Sequence, residues 1–155
     1  MKQFTFQTNS VLETKRLAEA LGKRLTLPAV VAVTGRLGAG KTHFIKGLGQ
    51  SLGLDPDKIC SATFVIIAEY GSEKRLIHID AYRLGSPQEL QAIGWYELLE
   101  EQNVLIAVEW ADKIVPLLPA DRIDIQIDII SDEQRKITIT ANDCRGEACL
   151  ALLKP

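Results

Sequence analysis

The 155 residues are 46% hydrophobic and 25% charged, a globular composition that argues against extended disorder and suits a single domain, 1–155, with its own core. A net charge of −2 and a pI near 5.7 argue against broad, salt-driven binding to nucleic acid by this chain alone. No apolar stretch approaches the roughly 20 residues that span a bilayer, and the alternating start Met1-Lys2-Gln3-Phe4-Thr5-Phe6 is not a signal peptide. Three cysteines, Cys60, Cys144 and Cys149, form no C-x-x-C. Buried or inert thiols in a reducing compartment are expected, hence a cytoplasmic protein without membrane contact.

Residues 2–7 alternate as a short strand. Ser10-Val11-Leu12-Glu13 is a capping-box signature, Ser10 at N-cap and Glu13 at N3. It opens a helix whose buried face is expected to carry Val11, Leu12, Leu17, Ala18, Leu21 and Leu25. Pro28 closes the connection to Ala29–Thr34, an unbroken apolar run suited to a strand buried on both faces. A glycine-rich stretch follows, then a helical pattern from His43 to Gly53 with Phe44, Ile45, Leu48 and Leu52 on its buried side. Residues 63–70 and 75–82 predict two strands joined at Gly71-Ser72-Glu73-Lys74. Pro87 starts a short helix, a second helical stretch covers about 95–101, and Asn103–Glu109 is another buried strand ending in an acid. A short helical segment begins near 112, ahead of Pro116 and Pro119. Ile123, Ile125, Ile127 and Ile129 alternate with polar residues, and Ile137 and Ile139 continue the pattern after a turn at 131–134. That is an antiparallel pair with one buried face, and a helix at about 146–153 follows. Apolar strands alternating with helices predict an α/β fold: a mixed, mainly parallel sheet of the P-loop NTPase type, flanked by helices, with antiparallel hairpin additions.

Gly35-Arg36-Leu37-Gly38-Ala39-Gly40-Lys41-Thr42 matches G-x-x-x-x-G-K-[ST] at every fixed position and lies between a strand and a helix. In that context backbone N–H groups and a helix N-terminus converge on phosphate oxygens, and Gly35, Gly38 and Gly40 let the chain curl around the anion. Candidate nucleotide contacts are Gly35, Leu37, Gly38, Ala39, Gly40, Lys41, Thr42 and His43, with Lys41 on the β/γ-phosphates and the Thr42 hydroxyl on Mg²⁺. The bland competitor is a glycine turn before a helix.

A phosphate loop needs a further carboxylate to help hold Mg²⁺. Glu109, at the C-terminal end of a buried strand, is the leading candidate, against the alternative of a solvated acid. Trp110 follows it, suited equally to packing on a nucleotide or to partial burial in the core. In His78-Ile79-Asp80-Ala81-Tyr82-Arg83, alternation sets His78, Asp80 and Tyr82 on one strand face. Asp80 is a candidate for orienting water, bare or metal-bound, and Arg83 for stabilising phosphoryl charge, against the alternative of an Asp80–Arg83 ion pair. His78 alone reads as a hydrogen-bonded structural residue. The hydroxyls of Ser61 and Thr63 belong to a candidate switch-like segment. Absence of an Asn-Lys-x-Asp run and of a long arginine-rich insertion favours ATP hydrolysis over GTP switching or nucleotide phosphorylation.

Together these motifs resemble the TsaE (YjeE) family over nearly the whole chain. Residues 35–44 resemble G-D-L-G-A-G-K-T-T-F, Ser61-Ala62-Thr63-Phe64 resembles S-P-T-[FY], His78 to Leu84 resembles H-x-D-x-Y-R-L, and Val108-Glu109-Trp110 resembles V-E-W. The resemblance implies a Mg²⁺-dependent ATPase, slow by itself. Its partners would be the proteins TsaB and TsaD, with tRNA reached indirectly through the complex. The reaction served is threonylcarbamoyl transfer to adenosine 37 of tRNAs reading codons that begin with A. It also implies Lys41, Asp80 and Glu109 as catalytic, Thr42 and Glu109 as metal ligands, Trp110 beside the nucleotide, and Ser61 and Thr63 as mobile. Three positions depart from the pattern: Arg36 for Asp, His43 for the second Thr, and Ala62 for Pro. Alternatives from other classes are a non-catalytic ATP-dependent binding module and a small-molecule kinase.

Overall fold

The computed structural model describes residues 1–153, apart from the side chains of Cys144 and Arg145. Seven strands form one sheet: β1 (Lys2–Thr8), β2 (Ala29–Gly35), β3 (Ile67–Tyr70), β4 (Arg75–Asp80), β5 (Val104–Glu109), β6 (Ile123–Ile129) and β7 (Arg135–Ala141). Five α-helices accompany them: α1 (Val11–Gly22), α2 (Lys41–Ser51), α3 (Pro87–Ala92), α4 (Trp95–Glu100) and α5 (Cys144–Ala151). The strand order is β1-β7-β6-β2-β5-β4-β3. The four central strands β6, β2, β5 and β4 are parallel, and the β3–β4 and β6–β7 hairpins and the β1–β7 pairing add antiparallel edges. This is the expected mixed α/β sheet.

Alternation along each strand divides the apolar side chains between two layers. Val31 and Val33 of β2, Leu105 and Ala107 of β5, and Ile123, Ile125 and Ile127 of β6 pack on one face with Ala18, Leu21, Phe44, Ile45, Leu48 and Leu150. Val30 and Ala32, with Val104, Ile106 and Val108, face the other way onto Leu90, Trp95, Leu98 and Ile114. Strands buried on both faces read as continuous apolar runs, which is why β2 and β5 carry no polar alternation. Among the described residues no helix is long and apolar enough to cross a membrane.

Several local expectations change. Ser10 caps α1 by accepting from the Glu13 N–H at 3.1 Å, but the Glu13 carboxylate accepts from the backbone of Asn9 rather than Ser10. Val11 and Leu12 are 48% and 54% exposed, because the buried stripe of α1 runs through Thr14, Ala18, Leu21 and Gly22. Leu12 points away from that stripe, and Val11 borders a cavity beside the glycine loop. The strand expected from 63 begins at Ile67, since Val65 and Ile66 donate back to the Ala62 carbonyl in a turn and Ile66 sits at φ +67. The strand expected to 82 ends at Asp80, which leaves Tyr82 on the surface. Helix α2 begins at Lys41 rather than His43, with Gly40 as N-cap. Cys149 is buried as expected, Cys60 is exposed, and the side chain of Cys144 lies outside the described residues. The terminal helix spans Cys144–Ala151, and residues 154–155 of the expected single domain likewise lie outside the description.

Candidate functional site

The carboxyl ends of β2, β4 and β5 meet at one edge of the sheet, the position where open α/β sheets form their crevices. Asp80 and Glu109 end adjacent parallel strands in register with one another, and Val33, two residues before the glycine loop, pairs with Glu109. The loop itself is shaped by two glycines with different demands. A Cβ on Gly35 would lie 2.7 Å from the Ile127 carbonyl oxygen, so only glycine fits against β6. Gly40 lies at φ +102 and caps α2 without any side-chain hydrogen bond. The first-turn N–H groups of α2 are therefore free of a side-chain acceptor, and the helix itself carries no acidic residue in that turn.

Around this loop lies a cavity of about 490 Å³ lined by Leu37, Gly38, Gly40, Lys41, Thr42 and His43, with Ser61, Thr63, Asp80, Tyr82, Glu109 and Trp110 opposite. Lys41, Asp80 and Glu109 are 5%, 1% and 3% exposed, unusual for ionisable groups without a specific role or partner. Lys41 Nζ donates to the carbonyls of Gly35 (2.7 Å) and Arg36 (3.0 Å) and lies 3.9 Å from the Trp110 ring centroid. Burial lowers the Lys41 pKa from its ordinary value, while Glu109, Asp80 and Asp112 pull it back up. Glu109 Oε1 accepts from the Thr42 hydroxyl at 2.6 Å and from His78 Nε2 at 3.0 Å. Because an ionised carboxylate only accepts, Nε2 is the protonated nitrogen of His78. Burial pushes the Glu109 carboxyl up, but the hydrogen bonds from His78 and Thr42, with the charge of Lys41, outweigh it and hold the group below the usual carboxylate range.

Asp80 makes no ion pair with Arg83. Its Oδ2 accepts from the Thr63 hydroxyl at 2.5 Å and its Oδ1 from the Tyr82 backbone N–H at 2.9 Å. Arg83 is exposed and lies 4.4 Å from the ring centroid of the equally exposed Phe64. Ser61 Oγ is 2.8 Å from Thr63 Oγ1, so a chain of hydroxyls ties the 61–63 segment to the buried acid. Trp110 takes a left-handed conformation (φ +55), which turns its ring back over Lys41 and beside Tyr82, 4.9 Å between centroids. Of the three non-glycine residues at positive φ among the described residues, Ile66, Asn103 and Trp110, Trp110 lines the cavity, a setting where backbone strain of about 1–3 kcal/mol is commonly concentrated.

The donor set is oxygen-based and sparse. No cluster of three or more His, Cys, Asp or Glu suited to a metal occurs among the described residues. A hydroxyl and a carboxylate beside free backbone N–H groups suit Mg²⁺, which takes few protein ligands and completes its shell with phosphate oxygens and water.

A family model described as threonylcarbamoyl adenosine biosynthesis protein TsaE matches residues 8–137. The chain belongs to the TsaE family. Its relatives include the tRNA threonylcarbamoyladenosine biosynthesis protein TsaE of Bacillus subtilis (strain 168), 38% identical over 148 residues that cover 95% of this chain and 91% of the relative. The TsaE of Treponema pallidum (strain Nichols) is 34% identical over 132 residues, 85% of this chain and 96% of the relative. The crystal structure of Bacillus subtilis YdiB superposes with a TM-score of 0.80 at 35% identity, covering 98% of this chain and 94% of that one. As a TsaE protein, the chain takes part in tRNA threonylcarbamoyladenosine biosynthesis.

Within this TsaE chain, Leu37, Gly38, Gly40, Lys41, Thr42, His43, Ser61, Thr63, Asp80, Glu109 and Trp110 line the cavity, Gly35 and Ala39 form the loop's packed base, and Arg83, the candidate for stabilising phosphoryl charge, is not among the lining residues. Arg36 is exposed and its backbone, not its guanidinium, meets Lys41. His43 lines the cavity with a buried Nδ1 that has no hydrogen-bond partner, and burial lowers its pKa together with the charges of Lys46 and Lys15. Ala62 is buried, and its carbonyl anchors the turn before β3. Two residues gain weight that sequence reasoning did not give them. His78 is fully buried against Glu109, a contact hinted at by its placement two residues before Asp80. Arg135 of β7 donates to the carbonyls of Gly38 and Ala39, and no sequence signal pointed to it.

Proposed function

We propose that this chain is a Mg²⁺-dependent cytoplasmic ATPase that supports threonylcarbamoyl transfer to adenosine 37 of tRNA, acting with TsaB and TsaD and reaching tRNA through them. The observation that carries the reading is the 2.6 Å hydrogen bond from Thr42 to Glu109 beside a helix N-terminus whose N-cap, Gly40, offers no side-chain acceptor. A hydroxyl from the loop and a carboxylate from the next strand are the pair that holds Mg²⁺ in phosphoryl-transfer sites. The bound ion would neutralise charge on the phosphate oxygens.

The chain's own groups have separable tasks. Backbone N–H groups of the loop and of the first turn of α2 cradle the phosphates, and Lys41 adds a positive charge held in place by Gly35, Arg36 and Trp110. Thr42 and Glu109 hold the metal, and His78 keeps Glu109 ionised and oriented. Asp80, gripped by Thr63, orients water and reports to the 61–63 segment whether the site is filled. Leu37 and Tyr82 line the cavity and are exposed, so the site opens to solvent in the isolated chain, consistent with turnover that is slow until a partner covers it.

Phosphate release from Mg²⁺-ATP by the purified protein, alone and with TsaB and TsaD added, tests this. Release stimulated by the pair is expected, and no release under either condition refutes the ATPase reading. The second reading, a binding module in which occupancy alone assembles the complex, draws on Asp80, both of whose oxygens are already engaged. Full support of tRNA modification by a non-hydrolysable ATP analogue would favour it.

A further inference from the structure

Arg135 opens β7, and its guanidinium lies between two pieces of chain. Nη1 donates to the carbonyls of Ser131 (2.7 Å), Asp132 (3.1 Å) and Gln134 (2.9 Å), which gathers the β6–β7 turn around it. Nε donates to the Ala39 carbonyl at 2.9 Å and Nη2 to that of Gly38 at 3.3 Å. A planar fork holding carbonyls on both sides fixes their relative positions in a way that a single ammonium cannot.

A trans peptide is planar, with its C=O and N–H directed oppositely. The Ala39 carbonyl and the Gly40 N–H share one such plane. That plane adjoins a residue at φ +102 where an added Cβ would meet nothing within 4 Å, so packing at Gly40 does not set its rotation. The neighbouring amide of Ala39 is already bound to the Arg36 carbonyl at 3.0 Å and needs no outside help. The Gly40 N–H has no such internal partner, and its direction depends on what holds the Ala39 oxygen. What holds it is Arg135.

We propose that Arg135 is a positioning residue for phosphate: by holding the Ala39 carbonyl outward, it turns the Gly40 N–H into the cradle beside Lys41. This deepens the nucleotide reading above and rests on it. It also gives the β6–β7 hairpin a part in the site, although no residue of that hairpin lines the cavity around Lys41.

The test compares the wild-type chain with Arg135→Met, Arg135→Ala and Gln134→Ala. Gln134→Ala removes the side-chain contacts of the same turn with Asn9 and Ser131 and leaves the glycine loop untouched. In the free proteins, the residual dipolar coupling of the Gly40 N–H is expected to change in Arg135→Met and to stay at the wild-type value in Gln134→Ala. With ADP as probe, Arg135→Met is expected to bind about 10- to 100-fold more weakly, the loss of one charge-assisted hydrogen bond's worth of alignment. Millimolar guanidinium is expected to restore part of the affinity of Arg135→Ala. An unchanged Gly40 coupling in Arg135→Met overturns the proposal whether or not ADP binds. Equal losses in Arg135→Met and Gln134→Ala also overturn it, because they would assign the effect to the turn. A wild-type chain that binds no ADP defeats the nucleotide reading instead, and the Gly40 coupling then decides the Arg135 contact by itself.

Discussion

Replacing Glu109 in two ways separates its structural work from its chemistry. Glu109→Gln keeps the length and the acceptor oxygen, so the Thr42 hydroxyl and His78 Nε2–H retain a partner. It removes one buried negative charge, trading a desolvation cost against the attraction of Lys41, and folding stability is expected to stay within about 1 kcal/mol. Glu109→Ala removes the acceptor and strands a fully buried histidine N–H. Breaking one side of a buried charged pair costs about 3–5 kcal/mol. At about 2–4 °C per kcal/mol for a chain of this size, the melting temperature should fall by roughly 6–20 °C. Calorimetric unfolding at pH 7 measures both variants. Isothermal titration of ADP with and without Mg²⁺ then reads the chemistry: Glu109→Gln should bind metal-free ADP like the wild type and lose the Mg²⁺-dependent gain. Equal stability of the two variants would refute the hydrogen-bond argument, and an intact Mg²⁺ effect in Glu109→Gln would refute the metal assignment.

Three further outcomes are expected. Glu109 is more acidic in the folded chain than its ordinary value of 4.5, so the unfolded chain takes up the proton first. Its stabilisation is therefore complete above about pH 4.5 and is lost as pH falls through the lower folded value. Melting temperatures from pH 7 to pH 3 should accordingly drop further in the wild type than in Glu109→Gln, and parallel curves would contradict this. Gly47→Ala should destabilise by about 1–3 kcal/mol in urea unfolding, because its Cβ would lie 2.3 Å from the Lys15 carbonyl oxygen and 2.7 Å from Ala18 Cβ, where α1 and α2 touch. Lys41→Ala should weaken ADP binding by about 10- to 100-fold, the loss of a charged donor to phosphate; an unchanged titration would remove Lys41 from the site.

The layers of the fold are legible in the sequence because burial on two faces demands unbroken apolar runs, as in Ala29–Thr34, and burial on one face demands alternation, as in Ile123, Ile125 and Ile127, although Ile129, which continues the pattern, is exposed. Local rules read less well wherever a distant group overrides them. Thr63 and Ile66 look like strand residues, yet the pull of Asp80 on the Thr63 hydroxyl and the left-handed turn at Ile66 delay β3 to Ile67. Lys41, Thr42 and Glu109 stand out because their motif carries its own spacing. His78 is only half legible, since its strand position is readable but its hydrogen bond across to β5 is not. Arg135 is illegible for a plain reason: its partner at Ala39 is 96 residues away and is a backbone carbonyl, which any residue offers.

The first strand has one partner in the sheet, and that partner is made almost last. Lys2 pairs with Ala141 and Thr8 with Arg135, and β7 joins β1 to the remainder through β6. As the chain leaves the ribosome, β1 waits with its backbone donors and acceptors unpaired, and with Phe4 and Phe6 lacking the neighbours they later pack against, until the final hairpin arrives. The β6–β7 hairpin then slots between β2 and β1 like a keystone. Closure of the sheet is a late, long-range event with a high loop-closure entropy, and the same hairpin carries the arginine that meets the glycine loop, so the loop acquires its last support only when the sheet is whole.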